Sequence, residues 1–106
     1  MGAGAEDTVE TTVIITGFVW LDEIIEKLAR KHHVETFEVE EAFFFRPRFR
    51  FVEKGDREGE DVYAVLGRTE AGRYLTVFFV RKRDGRALPL SARDMTHAER
   101  KRYGQK

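Results

Sequence analysis

Residues 45–51 read Phe-Arg-Pro-Arg-Phe-Arg-Phe, and this alternation constrains the fold more than any other stretch. Successive side chains of a β-strand point to opposite faces. Arg46, Arg48 and Arg50 therefore fall on one face, and Phe45, Phe49 and Phe51 on the other. A slip of one residue would bury the arginines and expose the phenylalanines, so the register is strongly specified. The stretch predicts a half-buried strand, with one packed face and one basic, solvated face. Pro47 lacks an amide hydrogen and places the strand at a start or at a sheet edge.

The flanking sequence supplies the rest of a small sheet. Residues 62–68 and 74–83 read as strands joined by Glu70-Ala71-Gly72 into a hairpin. Asp84-Gly85 is a tight-turn dipeptide leading into a strand over residues 87–92. Residues 54–59 read as a charged loop. Upstream, Val13, Ile14, Ile15, Phe18, Val19 and Trp20 predict a strand within residues 11–20. Leu21, Ile24, Ile25 and Leu28 follow helical spacing and predict an amphipathic helix over residues 21–31. Its acids stand first and its bases last, which suits the helix dipole.

His32 and His33 stand where that helix should stop. Thr36 reads as the N-cap of a second short helix to about Phe44. Thr96-His97-Ala98-Glu99 is a capping box opening a last helix, which continues to Tyr103 and stops at Gly104. The expected fold is α+β: a mostly antiparallel four- to five-stranded sheet, two N-terminal helices and one C-terminal helix. Residues 1–10 are small and polar and are expected to be a flexible N-terminus. Residues 11–106 then form a single domain.

The 106 residues suit one core and not two. The net charge of zero conceals a split. Through Phe45 there are ten acids and three bases; from Arg46 onward there are nine acids and sixteen bases. Thirteen of the nineteen bases are arginine, whose planar fork suits bidentate phosphate contact and stacking. The alternative is a solvated sheet face with scattered arginines.

Cysteine is absent, which excludes a disulfide framework and a thiolate nucleophile and suits a reducing, cytoplasmic setting. No apolar run is long enough to cross a bilayer. The acidic N-terminus lacks the pattern of a signal peptide. The three histidines show no ligand spacing, and no phosphate-cradling glycine loop is present, so neither metal nor cofactor is expected.

From about Phe18 to Tyr103 the chain resembles the BrnT family of toxins from bacterial type II toxin–antitoxin pairs. The resemblance lies in the order and spacing of short landmarks. The first are Phe18-Val19-Trp20-Leu21-Asp22-Glu23, Lys31-His32, Phe37 and Glu40-Glu41-Ala42 through Phe44. Gly59-Glu60-Asp61, Leu66-Gly67-Arg68 and Gly72-Arg73 follow, then Ser91-Ala92-Arg93, Glu99-Arg100 and Tyr103. Three positions depart from the family pattern: His33 replaces a glycine, and Val62 and Leu88 each replace an arginine.

The resemblance implies a RelE-like fold, metal-independent endoribonuclease activity, and neutralisation by a cognate antitoxin. In such a reaction the RNA 2′-hydroxyl attacks the adjacent phosphorus, which requires a base, a cation for the developing charge and an acid. Arg93 matches the family motif and is the first choice for the phosphate, with Arg81 second. His32 is the matched imidazole. Glu60 is a base or an arginine-orienting carboxylate, and Tyr63 and Tyr103 are proton donors or stacking platforms.

Arg46, Arg48, Arg50, Arg83 and Arg100 form the expected RNA-binding set. The structural alternatives are His32 capping its helix, Arg93 pairing with Asp94 or Glu99, the tyrosines packing, and a plain solvent face for the Arg46/Arg48/Arg50 stripe, whose functional reading is a surface for RNA backbone or antitoxin. Arg81, Arg83 and Arg86 are candidates to replace the two missing arginines. A catalytically degenerate protein that binds RNA or a protein partner without cutting is the alternative function. A homodimer and a toxin–antitoxin hetero-oligomer are both open.

Overall fold

The computed structural model describes residues 13–105. The expected flexible segment 1–10, and the first two residues of the expected first strand, lie outside the described residues.

Alternation of β-branched and aromatic residues builds a five-stranded sheet. Its strands are β1 (Gly17–Phe18), β2 (Arg48–Arg57), β3 (Glu60–Arg68), β4 (Tyr74–Arg81) and β5 (Arg86–Asp94), in the order β1-β5-β4-β3-β2. β1 runs parallel to β5, and the other pairs are antiparallel. The sheet is therefore mostly antiparallel, as the sequence predicts.

Two strand boundaries differ from expectation. The first strand shrinks to Gly17 and Phe18, and at its C-terminal end Pro89 of β5 has no amide to donate past the Val19 N–H to Ala87 carbonyl bond. In the other case, the charged segment 54–59 is mostly strand. β2 runs on to Arg57 through two register shifts, and only Glu58 and Gly59 form the turn. Charged side chains on an edge strand stay solvated, so charge does not mark a loop there. A Cβ at Gly55 would collide with the Glu60 carbonyl, so glycine permits this close return.

Helix α1 (Asp22–Lys27) continues as a π-helical turn, residues Leu28–His32, which ends at His33 in the left-handed conformation (φ +55°). This is where the family pattern has glycine, the residue that adopts such a conformation without a steric penalty. Helix α2 (Thr36–Ala42) is capped one residue earlier than predicted. Glu35 is the N-cap, and its amide donates to the Glu38 carboxylate at 3.0 Å. The α2 C-terminus lies so close to β3 that a Cβ on Gly67 would collide with the Ala42 carbonyl. Helix α3 (His97–Tyr103) begins at the predicted capping box, with Glu99 N donating to Thr96 Oγ1 at 3.1 Å.

The register assigns the faces. Val65, Val77 and Ala92 form one row and Tyr63, Phe79 and Pro89 another, both beneath α1 and α2. Phe43 of the helical layer meets Phe18, Phe49 and Phe79, and Tyr63 stacks on Phe79. The opposite, open face carries the rows Arg48-Leu66-Thr76-Arg93, Arg50-Ala64-Phe78-Ser91 and Val62-Val80-Leu88. Helix α3 packs over the first of these through Arg48, Thr76 and Arg93, and Leu66 and Thr76 are buried there.

Candidate nucleic-acid interface

The end of the open face under α3 gathers arginines around two tyrosines. Glu99 on α3 meets Arg93 on β5 end-on, with Nη1 to Oε1 at 2.7 Å and Nη2 to Oε2 at 3.0 Å. Thr76 Oγ1 and the Thr96 amide also donate to Glu99 Oε1, at 2.8 and 2.9 Å. The Arg93 guanidinium, with these further donors, holds the Glu99 carboxyl down at about 2. Arg93 Nη1 reaches the Asp94 carbonyl as well, at 3.2 Å. A guanidinium has five N–H donors. The Nε–H and the second Nη2–H of Arg93, which form its side-on fork, have no partner among the described residues.

Tyr74 and Tyr103 meet edge to face at 5.8 Å. The Arg100 guanidinium lies 3.7 Å from the Tyr74 ring and that of Arg68 lies 5.9 Å from it, while Arg46 is 5.8 Å from the Tyr103 ring. Tyr103 donates to the Phe45 carbonyl at 3.1 Å, and burial pushes its phenol above the ordinary value. A recess of about 210 Å3 opens here, lined by Phe45, Arg46, Arg68, Thr69, Glu70, Tyr74 and Tyr103.

Of the six predicted catalytic residues, Arg93 and Tyr103 come to this end together. Glu60 begins β3, six residues from Leu66 in the Arg93 row, which is roughly 20 Å at the strand rise. There it pairs with Lys82 at 3.1 Å and accepts from Arg83 N, and Lys82 lowers its carboxyl below the ordinary value. Tyr63 lies on the helix-covered face between Phe51 and Phe79. Arg81 donates to the Ile14 carbonyl at 3.0 Å. His32 closes the π-helical turn, where its carbonyl accepts from Arg73.

The predicted RNA-binding arginines also separate. Arg46 and Arg100 flank the tyrosines, and Arg50 is exposed on the open face. Arg46 leaves the predicted stripe: it precedes β2 in a left-handed conformation (φ +51°). Arg48 caps the C-terminus of α3, donating to the Arg102 and Gln105 carbonyls at 2.8 and 2.7 Å. Arg83 is tied to the Glu58 carbonyl and Arg86 to Asp84. Arg81, Arg83 and Arg86 are thus all hydrogen bonded within the fold, to Ile14, Glu58 and Asp84.

Sequence reasoning did not single out Tyr74, Arg68 or Glu70 as site residues, although they line the recess, nor the role of Arg73. Arg73 binds Asp94, Glu38 and the carbonyls of His32 and His33, joining β5, α2 and the π-helical turn. Its only signal was the Gly72-Arg73 landmark. Among the described residues no cluster of three or more His, Asp or Glu side chains could hold a metal ion, and no helix is long and apolar enough to cross a membrane.

The fold and site define a small α+β protein with its arginine and tyrosine chemistry gathered at one end of an open sheet face. The chain belongs to the BrnT family: the model of the ribonuclease toxin BrnT of type II toxin–antitoxin systems matches residues 20–99. Membership implies a ribonuclease toxin with an RNA substrate and an antitoxin partner. No curated protein matches the chain.

Proposed function

We propose that this toxin cuts RNA without a metal ion and that the α3 end of the open face is its active site. One observation carries the reading. Glu99 holds the Arg93 guanidinium end-on and leaves its side-on fork to receive two phosphate oxygens. A cation fixed before the substrate arrives stabilises developing phosphorane charge without reorganisation.

Two groups that line the recess, Glu70 and Tyr103, complete the proton balance. Glu70 accepts the proton of the 2′-hydroxyl as that oxygen attacks the adjacent phosphorus. The bond to the 5′-oxygen breaks, and Tyr103 donates a proton to the leaving oxygen. The products are a 2′,3′-cyclic phosphate and a 5′-hydroxyl, and the proton on Glu70 restores Tyr103 through solvent. A phenol is protonated at neutral pH, as a donor must be, and the Tyr103 hydroxyl turns from the Phe45 carbonyl to the leaving oxygen. His32, Glu60, Tyr63 and Arg81 take no step here.

The Val62-Val80-Leu88 row favours a second reading, RNA binding without cleavage. It is an apolar band on the open face, at two positions where the resembled pattern carries arginine.

Cleavage of an unstructured RNA in excess EDTA separates the two. The wild type is expected to cut, and Arg93→Ala to lose at least about 100-fold in rate. Cutting that stops in EDTA would overturn the metal-independent reading. A folded wild type that binds RNA and cuts none, with or without ribosomes, would establish the second.

A further inference from the structure

We infer that the recess between α3 and the β3–β4 turn is a seat for one unstacked nucleobase of single-stranded RNA. The inference rests on the ribonuclease reading for its place in a reaction, but not for its binding chemistry. The recess, at about 210 Å3, falls below the roughly 300–1,000 Å3 of pockets that hold whole small molecules. It suits one planar base.

Its walls supply what an unstacked base needs. Tyr74 offers a ring, and Arg100, which is not among the lining residues, braces that ring from outside at 3.7 Å. Arg46 and Arg68 line the recess and make ring contacts only, with no hydrogen bond or ion pair among the described residues. Their donors are available to phosphates on either side of the base. Arg48, Arg73 and Arg83, by contrast, are hydrogen bonded within the fold.

Position and strain point the same way. Tyr74 and Thr76 project from the same face of β4, roughly 7 Å apart by the strand rise, and Thr76 stands beside Arg93. That matches the step from a base to a neighbouring phosphate along an extended strand. Arg46 reaches its place through a left-handed backbone (φ +51°) immediately before Pro47, a conformation disfavoured for a non-glycine residue. Such strain collects where a side chain must be held for a ligand.

The test uses 2′-O-methyl hexanucleotides, which lack the nucleophile and so report binding alone. Tyr74→Ala is expected to weaken binding between about 5- and 150-fold, the loss of one stacked base. Tyr74→Phe, which returns the ring, recovers most of that loss. Arg46→Gly relieves the backbone and so endangers the fold least; it is expected to melt no lower than the wild type while binding the hexamer several-fold more weakly. A duplex of the same sequence is expected to bind far more weakly than the single strand.

Equal binding of single strand and duplex would overturn the inference. So would Tyr74→Ala and Arg46→Gly proteins that are folded and bind within twofold of wild type. Cleavage of unmodified RNA, measured alongside, keeps the two readings apart. Hexamer binding through Tyr74 without cleavage sinks the ribonuclease reading alone; cleavage indifferent to Tyr74→Ala sinks the base seat alone.

Discussion

Arg93 and Glu99, six residues apart, join the last strand to the last helix by two parallel hydrogen bonds of 2.7 and 3.0 Å. The pair anchors α3 across the Leu66–Thr76 end of the sheet and orients the guanidinium proposed to meet phosphate. Among the described residues, the side chains of Arg46, Arg68 and Arg100, around the recess and the tyrosines, make only ring contacts. Arg93 is both structural and available.

The pair makes stability depend on acid. Glu99 titrates at about 2 in the folded protein against an ordinary 4.5, so the folded state binds fewer protons than the unfolded chain between those values. The contribution is fully present above about pH 4.5 and is lost as pH falls through about 2. Denaturant titrations of wild type and Glu99→Gln should show a stability gap at pH 7 that closes between pH 4.5 and 2. A gap that is the same at all pH values would exclude Glu99 as its source.

Arg93→Lys keeps the charge and loses the planar fork. Lysine cannot hold Glu99 end-on and phosphate side-on together. RNA cleavage under single-turnover conditions is expected to fall by about 100-fold or more, with a smaller loss of affinity. Near wild-type cleavage would show that charge alone suffices.

His33→Gly is expected to stabilise the protein by about 1 kcal/mol, because glycine adopts φ +55° without the Cβ penalty. The His33 carbonyl, which accepts from Arg73 at 2.8 Å, is retained by the substitution. Urea denaturation measures the gain. A destabilised variant would mean that the imidazole contributes more than the backbone loses.

Arg73→Ala should cost about 2 kcal/mol, since its partial exposure to solvent discounts the two ion pairs while the two carbonyls lose a charged donor. Lysine at this position should recover little, as one ammonium cannot span β5, α2 and the π-helical turn. Both follow from thermal melts. An Arg73→Lys protein as stable as wild type would reduce the clamp to simple charge.

Gly67→Ala is expected to destabilise by about 1–3 kcal/mol, because its methyl would overlap the Ala42 carbonyl and push α2 off the sheet. The same substitution at Gly17, where a Cβ meets only Arg86 side-chain atoms at 3.6 Å or more, should be far milder. Comparable losses at the two sites would contradict the packing.

Much of this was legible locally. Strands β3, β4 and β5 follow from alternation and turn dipeptides, and α3 from its capping box, because those signals act over two to four residues. The α2 cap moved from Thr36 to Glu35 because Glu38, itself held by Arg73, selects the residue three before it. β2 outran its prediction because charge on an edge strand resembles a loop. The C-terminal end of β1 depended on Pro89, far away in the sequence.

Sequence alone determined the sheet, the order of its elements, the basic character of the second half, and the family landmarks from Trp20 to Glu99 that the family model also spans. What only the tertiary structure decided is which arginines are occupied. Arg48 is bound to Arg102 and Gln105 carbonyls and Arg73 to those of His32 and His33, while Arg46 and Arg68 face a recess and, among the described residues, make ring contacts alone. A guanidinium is the same in every sequence position. Its partners are set by which distant backbone and carboxylate oxygens the folded chain brings within about 3 Å, and no local pattern encodes that distance.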